Sequence, residues 1–186
     1  DAVMTDNAAM QTGDIVFDNI WFRYAGAPED SYVLRDLSLR IPRGKVTAVV
    51  GASGSGKTTL LKLLLKFYEP TRGDVHVGAI PFRHVPAALW RGRCGVVMQD
   101  GFLFGDTIMR NIALGDDMPD GLRLWRAAEA ANLQELIAAL PLGFATKIGP
   151  DGQGLSQGQK QRILIARAVY REPDYFFLDE ATSDLD

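Results

Sequence analysis

One glycine-rich stretch of the chain has the residue types and spacing needed to bind phosphate. Residues 51–58 read GASGSGKT and fit the pattern G-x-x-x-x-G-K-[ST], with the apolar run VTAVV before them and a helix-forming sequence after them. Glycines allow backbone N–H groups to converge on anionic oxygens at a helix N-terminus. Lys57 adds a positive charge for β- and γ-phosphates, and the Thr58 hydroxyl can ligate Mg²⁺. The alternative is a flexible Gly/Ser turn, but the four fixed positions would match by chance in only about one chain in a hundred.

Two adjacent carboxylates, Asp179 and Glu180, follow the apolar run YFFL near the end of the sequence. Neighbouring side chains on a strand point to opposite faces of a sheet, so the two acids should have different tasks. Asp179 is suited to the Mg²⁺ shell, and Glu180 to orienting and deprotonating an attacking water. Standing alone, the pair would indicate a solvated strand end. Together with the glycine-rich stretch it predicts a nucleoside triphosphatase.

A polar collar that contains glycine, GLSQGQKQR at 154–162, precedes a run of apolar residues with helical spacing. Ser156 and Gln159 have the spacing of a capping box, in which both side chains satisfy backbone amides at a helix start. Free N–H groups at a helix start also make an anion site. The collar can therefore cap its helix and present that helix start to a phosphate.

These features together resemble the nucleotide-binding domain of an ATP-binding cassette (ABC) transporter. The stretch LSQGQ at 155–159 is similar to that family's LSGGQ signature, with Gln157 in place of the first glycine. The resemblance implies ATP and Mg²⁺ as cofactors. It also implies a head-to-tail dimer with a second nucleotide-binding domain, in which the collar of one copy closes on ATP held by the phosphate loop of the other. The collar residues implied to contact ATP are Ser156, Gly158 and Gln159, and those of the phosphate loop are Gly51, Ser53, Gly54, Ser55, Gly56, Lys57, Thr58 and Thr59.

Further positions are similar to the family, and the resemblance covers nearly all of residues 14–186. Gln99 resembles the Q-loop glutamine that links the Mg²⁺ site to the membrane domain. Tyr24 resembles the aromatic residue that stacks on adenine. The stretch SDLD at 183–186 resembles the D-loop, which implies that Asp186 lies at the nucleotide. The implied catalytic residues are Glu180, Gln99 and Lys57, and the implied Mg²⁺ ligands are Thr58, Gln99 and Asp179.

Two segments resemble the exporter subclass of the family: LFGDTIMRNI at 103–112 and GPDG at 149–152. This resemblance implies a transmembrane domain of the same transporter as partner, and a place at the cytoplasmic face of the cell membrane. Family members carry a switch histidine beyond the D-loop, whereas His76 and His84 both precede Glu180. We therefore expect a cassette truncated after the D-loop: the parent protein hydrolyses ATP, whereas this part of it binds ATP but hydrolyses it poorly or not at all.

The elements that must position these residues alternate between strands and helices, which predicts an α/β fold. The apolar run at 46–50 predicts a parallel strand covered on both faces. Other strands are predicted at 14–24, 34–41, 74–77, 94–99 and 175–179, and helices at 57–67, 107–114, 119–131, 133–140 and 157–171. The resemblance implies a P-loop NTPase (RecA-like) core, an N-terminal antiparallel β subdomain and an α-helical subdomain at about 103–155, with 1–13 as a linker or tail.

Composition and charge limit the possible functions. The apolar fraction of 47% is that of a globular domain, and a net charge of −3 gives no general reason to bind nucleic acid. The single cysteine, Cys94, cannot form an internal disulfide and is expected in a strand. No segment approaches the run of about 18 apolar residues that spans a bilayer. Two alternatives stay open: a soluble ABC-superfamily ATPase of DNA repair or translation, and a regulatory module that binds ATP without hydrolysis.

Overall fold

A computed structural model describes residues 13–98 and 100–179 of the chain. These residues form two compact units, which divide between Gly92 and Arg93. Within the described ranges, no helix is long and apolar enough to cross a bilayer. The predicted linker at 1–13 lies outside them except for Gly13, as do Gln99, Glu180 and the predicted D-loop at 183–186.

The first unit is built on a four-stranded antiparallel sheet with the order β2-β1-β3-β4. Its strands are β1 (Ile15–Phe22), β2 (Leu34–Ile41), β3 (Arg72–Val77) and β4 (Ile80–Pro81). The start of β1 pairs with both neighbours, because Ile15 lies opposite Ile41 of β2 and opposite Val77 of β3. The predicted antiparallel sheet is therefore confirmed.

A bulge in β1 brings two pairs of apolar residues to the same face of this sheet. Asn19 has a φ of 49°, and the pairing with both neighbouring strands shifts register around it. The shift changes the alternation of side chains by one position, so that residues on both sides of the bulge point to the core. A Cβ on Gly73 would lie 2.4 Å from the Asn19 carbonyl oxygen, so the bulge requires glycine in β3. The buried residues of β1 are Ile15, Phe17, Ile20 and Phe22.

The described residues of the first unit also form two α-helices, α1 (Lys57–Leu64) and α2 (Ala87–Gly92). The leucines of α1 are buried, and side chains of α2 bind carbonyls at and just after the C-terminal end of α1. Trp90 donates from its indole nitrogen to the Leu64 carbonyl, and Arg91 donates to the Lys66 carbonyl over 3.2 Å. Because the final carbonyls of a helix have no partner within it, these contacts fix the C-terminal end of α1.

In the second unit, the part of the chain that the structure describes forms a parallel strand pair and four α-helices. Strands β5 (Cys94–Val97) and β6 (Tyr175–Leu178) run in parallel, with Cys94 opposite Tyr175 and Val97 opposite Leu178. A parallel pair needs a long crossover, and here it carries α3 (Ile108–Ile112), α4 (Gly121–Ala130), α5 (Gln134–Ala139) and α6 (Gln157–Tyr170). Cys94 is buried in β5 as predicted, and this burial raises the pKa of its thiol to about 12.

Helix α6 is the central helix of the second unit. Its Ile163 and Ala166 are fully buried in a cluster with residues of α3, α4 and α5. The neighbouring helices begin where a side chain accepts a hydrogen bond from their first turn. Thr107 accepts from the Arg110 amide over 3.1 Å at α3, and Asp120 accepts from the Arg123 amide over 2.8 Å at α4.

The prediction of a buried strand at 46–50 is wrong. These residues form no strand, and the side chains of Val46 and Val50 are 98% and 89% exposed. An apolar run rich in β-branched residues favours a buried β-strand. A strand also needs a neighbouring strand whose backbone accepts and donates its hydrogen bonds. Within the first unit, the antiparallel pairs are made among β1, β2, β3 and β4.

Candidate functional site

The glycine-rich loop at 51–56 ends in the first turn of α1. Gly56 stands at the N-cap with a φ of 94°, and no side chain caps this helix start. A Cβ on Gly56 would lie 2.8 Å from a methyl carbon of Leu34, so both the backbone conformation and the packing require glycine there. A Cβ on Gly51 would lie 2.5 Å from the Ser55 hydroxyl oxygen. A side chain at either position would therefore meet atoms already present at the loop, and glycine keeps the loop backbone open to a phosphate group.

Lys57 closes this loop with its ammonium group. Its Nζ donates to the carbonyl oxygens of Gly51 over 2.8 Å and of Ala52 over 3.0 Å. The Ser55 amide donates to the Ala52 carbonyl over 3.1 Å, which tightens the same turn. Because an ammonium has three donors and no acceptor, phosphate oxygens could replace these carbonyls as its acceptors. The cation is held at the position from which it can meet an anion in the loop.

A hydrogen bond joins the side chains of Tyr24 and Thr59 in the first unit. Their hydroxyl oxygens lie 2.9 Å apart and share a hydrogen bond. Thr59 belongs to the first turn of α1 and is buried, whereas Tyr24 follows β1 and is half-buried. The structure thus brings the predicted adenine-stacking residue next to the phosphate loop. The role of Tyr24 at adenine stays a prediction.

The collar at 154–162 forms the capping box predicted from its spacing. The Ser156 amide donates to the Gln159 side-chain oxygen over 2.9 Å, and the Gln159 amide donates to the Ser156 hydroxyl over 3.2 Å. Ser156 and Gln157 are exposed at the start of α6. A serine hydroxyl that accepts one N–H still has its own O–H to donate, so Ser156 can cap α6 and bind an anion. The side-chain oxygen of Gln159 is already engaged in the box.

The predicted Mg²⁺ ligands lie far apart in the sequence. Thr58 belongs to α1 of the first unit, Asp179 directly follows β6 of the second, and Gln99 lies outside the described residues. The Asp179 amide donates to the Val97 carbonyl over 2.9 Å, which continues the β5–β6 ladder to the base of its side chain. A threonine hydroxyl and an aspartate carboxylate are the hard oxygen donors that Mg²⁺ prefers. The donor types fit the ion, and the assignment of these three residues stays a prediction.

A polar network between α6 and the segment 102–111 was not foreseen from the sequence. Arg167 donates to the Asn111 backbone oxygen over 2.7 Å, to the Asn111 side-chain oxygen over 3.0 Å and to the Phe102 carbonyl over 2.8 Å. Asn111 is fully buried, and its amide group donates to the carbonyls of Phe104 and Thr107. Burial lowers the pKa of the Arg167 guanidinium. This network fixes the loop at 102–104 to the helix that begins with the collar.

A buried lysine is a second feature missed in the sequence. Lys66 follows α1 with a φ of 53°, and its Nζ donates to the carbonyls of Phe82 over 2.6 Å and Val85 over 2.7 Å. Burial lowers its pKa, and the nearby Glu69 carboxylate acts in the opposite direction. No local pattern distinguishes this lysine from the exposed lysines of an amphipathic helix. It ties the end of α1 to the segment before α2.

Comparisons with known proteins agree on one family. The family model described as ABC transporter matches residues 34–183. The chain is 44% identical over 181 residues to the ABC multidrug transporter mdr2 of Aspergillus fumigatus, covering 97% of this chain and 23% of that protein. It is 46% identical over 176 residues to an ATP-dependent lipid A-core flippase of Alkalilimnicola ehrlichii, covering 94% of this chain and 29% of the flippase.

A human relative and a solved structure extend this similarity. The mitochondrial iron-sulfur clusters transporter ABCB7 of Homo sapiens is 40% identical over 176 residues, which cover 95% of this chain and 23% of the transporter. The structure of a bacterial Atm1-family ABC exporter with ATP bound matches with a TM-score of 0.87 and 38% identity, covering 96% of this chain and 31% of that chain. The chain therefore spans between 23% and 31% of the length of these four proteins.

Proposed function

We propose that this chain, which belongs to the ABC transporter family, is the domain that binds and hydrolyses ATP to power export of a substrate across a membrane. Membership of the family confirms the resemblance drawn from the phosphate loop, the acid pair and the collar. The observation that carries the proposal is the position of the Lys57 ammonium, which closes a glycine loop at the start of α1. The relatives are named for different cargoes, so the proposal concerns the ATP-driven step and leaves the cargo of this chain open.

In this proposal each predicted residue has one task at the bound ATP. The glycine loop and Lys57 bind the phosphates, and Tyr24 stacks on adenine. Thr58, Gln99 and Asp179 hold Mg²⁺, which when bound neutralises the charge on the β- and γ-phosphates. Glu180 orients a water and accepts its proton, and Asp186 lies at the nucleotide. The fold proposed around these residues is a P-loop NTPase core with the antiparallel sheet at its N-terminal side and an α-helical subdomain at about 103–155.

The other half of the site comes from a second nucleotide-binding domain. The exposed start of α6 supports this arrangement, because Ser156 and Gln157 face solvent and can meet a partner. Ser156, Gly158 and Gln159 of one copy would then close on ATP held by the loop of the other. The transmembrane domain of the same transporter is proposed as the second partner, which places this domain at the cytoplasmic face of the cell membrane. The match to exporters favours this function over DNA repair or translation.

A nucleotide titration with a matched lysine control tests the proposal. Trinitrophenyl-ATP fluorescence in the presence of Mg²⁺ would report binding to the parent chain, to Lys57→Ala and to Lys62→Ala. Lys62 lies on the same helix, away from the loop, and serves as the control for loss of a positive charge. Removal of a charged donor from bound phosphate should weaken binding about 10- to 100-fold, and only in Lys57→Ala. Equal affinities of all three proteins would contradict the proposal.

A further inference from the structure

The contact between Tyr24 and Thr59 joins two parts of the first unit that are distant in sequence. Tyr24 follows β1, and Thr59 lies next to Lys57 and Thr58 in the first turn of α1. Their hydroxyl oxygens are 2.9 Å apart, and Thr59 is only 6% exposed. Because Thr59 is buried, its hydroxyl cannot freely exchange this partner for water. The hydrogen bond therefore links the first turn of α1 to the half-buried Tyr24 side chain.

Two further rings fix the orientation of the Tyr24 ring. It meets Phe22 edge to face, with centroids 5.0 Å apart at 81°, and Tyr68 in the same manner, at 5.2 Å and 89°. Phe22 is a buried residue of β1, whereas Tyr68 follows α1 and is 42% exposed. Edge-to-face pairs at these distances are favourable arrangements of aromatic rings. Tyr24 is thus held by the strand before it and by residues at both ends of α1.

We propose that Thr59 and Tyr68 are positioning residues, which hold Tyr24 at a fixed place relative to the phosphate loop and so couple binding of the base to binding of the triphosphate. The proposal rests on the proposed function, since it takes the loop as the phosphate site and Tyr24 as the base platform. Its physical basis is preorganisation: a platform that is already oriented loses less conformational entropy when the ligand arrives. The coupling should act on nucleoside triphosphates and leave a triphosphate without a base unaffected.

A double-mutant cycle on the two hydroxyl groups tests this coupling. Tyr24→Phe keeps the ring and removes its hydroxyl, and Thr59→Val keeps the shape of the side chain and removes its hydroxyl. Each single variant should weaken ATP binding about three- to tenfold. The two losses should not add: the affinity of the double variant should lie within about twofold of that of the single variants. Tyr68→Leu, which removes the edge-to-face partner, should also weaken ATP binding. Tyr32→Phe is the matched control, because Tyr32 is a half-buried tyrosine of the same unit that packs edge-on against Trp21.

Inorganic tripolyphosphate distinguishes a positioning role from a general loss of structure. Its affinity, measured by displacement of trinitrophenyl-ATP, should stay within about twofold of the parent in Tyr24→Phe, Thr59→Val and Tyr68→Leu, because each variant keeps the backbone amides of the loop. Unchanged ATP affinity in Tyr24→Phe, additive losses in the double variant, or equal losses for ATP and tripolyphosphate would each overturn the proposal. If the parent binds ATP in a Lys57-dependent way but shows no coupling, only this inference fails. If the parent does not bind ATP, the proposed function itself fails.

Discussion

The ammonium nitrogen of Lys57 lies 2.8 Å from the carbonyl oxygen of Gly51, so one hydrogen bond joins the two ends of the phosphate loop. The chain's own atoms thereby set the shape of the loop, and Lys57 stands where a phosphate oxygen can replace a carbonyl as its acceptor. Gly56, with its φ of 94° at the start of α1, completes this arrangement. A ligand that enters such a loop does not have to order it first.

Substitution of Gly56 tests the shape of the loop. Gly56→Ala places a Cβ in the left-handed region and 2.8 Å from Leu34, so the free energy of unfolding should fall by about 1–3 kcal/mol and ATP binding should weaken. Gly92→Ala is the control, because its φ is not in that region and a Cβ there meets nothing within 4 Å. Urea denaturation of both variants measures the difference. Equal stabilities of the two would contradict the described loop.

Ser156 is expected to stabilise α6 through the capping box. Ser156→Ala removes the acceptor for the Gln159 amide, so the free energy of unfolding should decrease by about 1 kcal/mol. Ser156→Thr retains a hydroxyl acceptor and should recover most of this loss. Urea unfolding followed by circular dichroism gives both values. A Ser156→Ala chain as stable as the parent would mean that the box contributes nothing in solution.

Arg167 is expected to matter more for stability than its neighbour Arg171 on the same side of the fold. Arg167→Ala leaves the buried Asn111 and the Phe102 carbonyl without their charged donor, which should cost about 2–4 kcal/mol. Arg171 is exposed and donates over 3.3 Å to the Leu114 carbonyl, so Arg171→Ala should change stability by less than about 0.5 kcal/mol. Thermal and urea unfolding of both variants would decide. A larger loss in Arg171→Ala would contradict the network.

Cys94 should make stability depend on pH in the alkaline range. Burial raises the pKa of its thiol from 9.0 to about 12 in the folded chain, so the folded state holds a proton that the unfolded state releases above pH 9. This contribution to the free energy of unfolding is complete below pH 9 and should be lost progressively as the pH rises from 9 towards 12. Comparison of Cys94→Ala with the parent across this range isolates the effect.

The same burial predicts slow thiol chemistry. Because the sequence contains one cysteine, Ellman's reagent at pH 8 reports Cys94 alone. The folded chain should react much more slowly than the chain in urea, since the thiolate is the reactive form. Equal rates in the two conditions would place Cys94 in solvent and contradict its position in β5.

Local patterns in the sequence predicted the features that depend on neighbouring residues. The capping box follows from Ser156 and Gln159 three positions apart, and the glycine loop follows from its fixed spacing, so both were predicted. The strand at 46–50 was predicted wrongly, because an apolar run does not show whether a partner strand is present. Helix α2 was missed, because six residues are too few to display helical periodicity.

Contacts between residues distant in the sequence could not be predicted in this way. The Tyr24–Thr59 hydrogen bond joins residues 35 positions apart, and the Arg167–Asn111 network spans 56. Neither pair follows from periodicity or from a spacing pattern, because each depends on how separate elements pack. The first contact joins Tyr24 to the helix that begins with Lys57, and the second joins the loop at 102–104 to the helix that begins with the collar.

The central claim is that a triphosphate is held in the loop closed by Lys57. Hydrogen–deuterium exchange with and without MgATP tests this claim most directly. Backbone amides in the peptide covering residues 51–59 should exchange more slowly when MgATP is present, because they donate to phosphate oxygens. This protection should disappear in Lys57→Ala and persist in Lys62→Ala. Two results would contradict the account: an exchange rate at residues 51–59 that MgATP does not lower, or a lowered rate that is retained in Lys57→Ala.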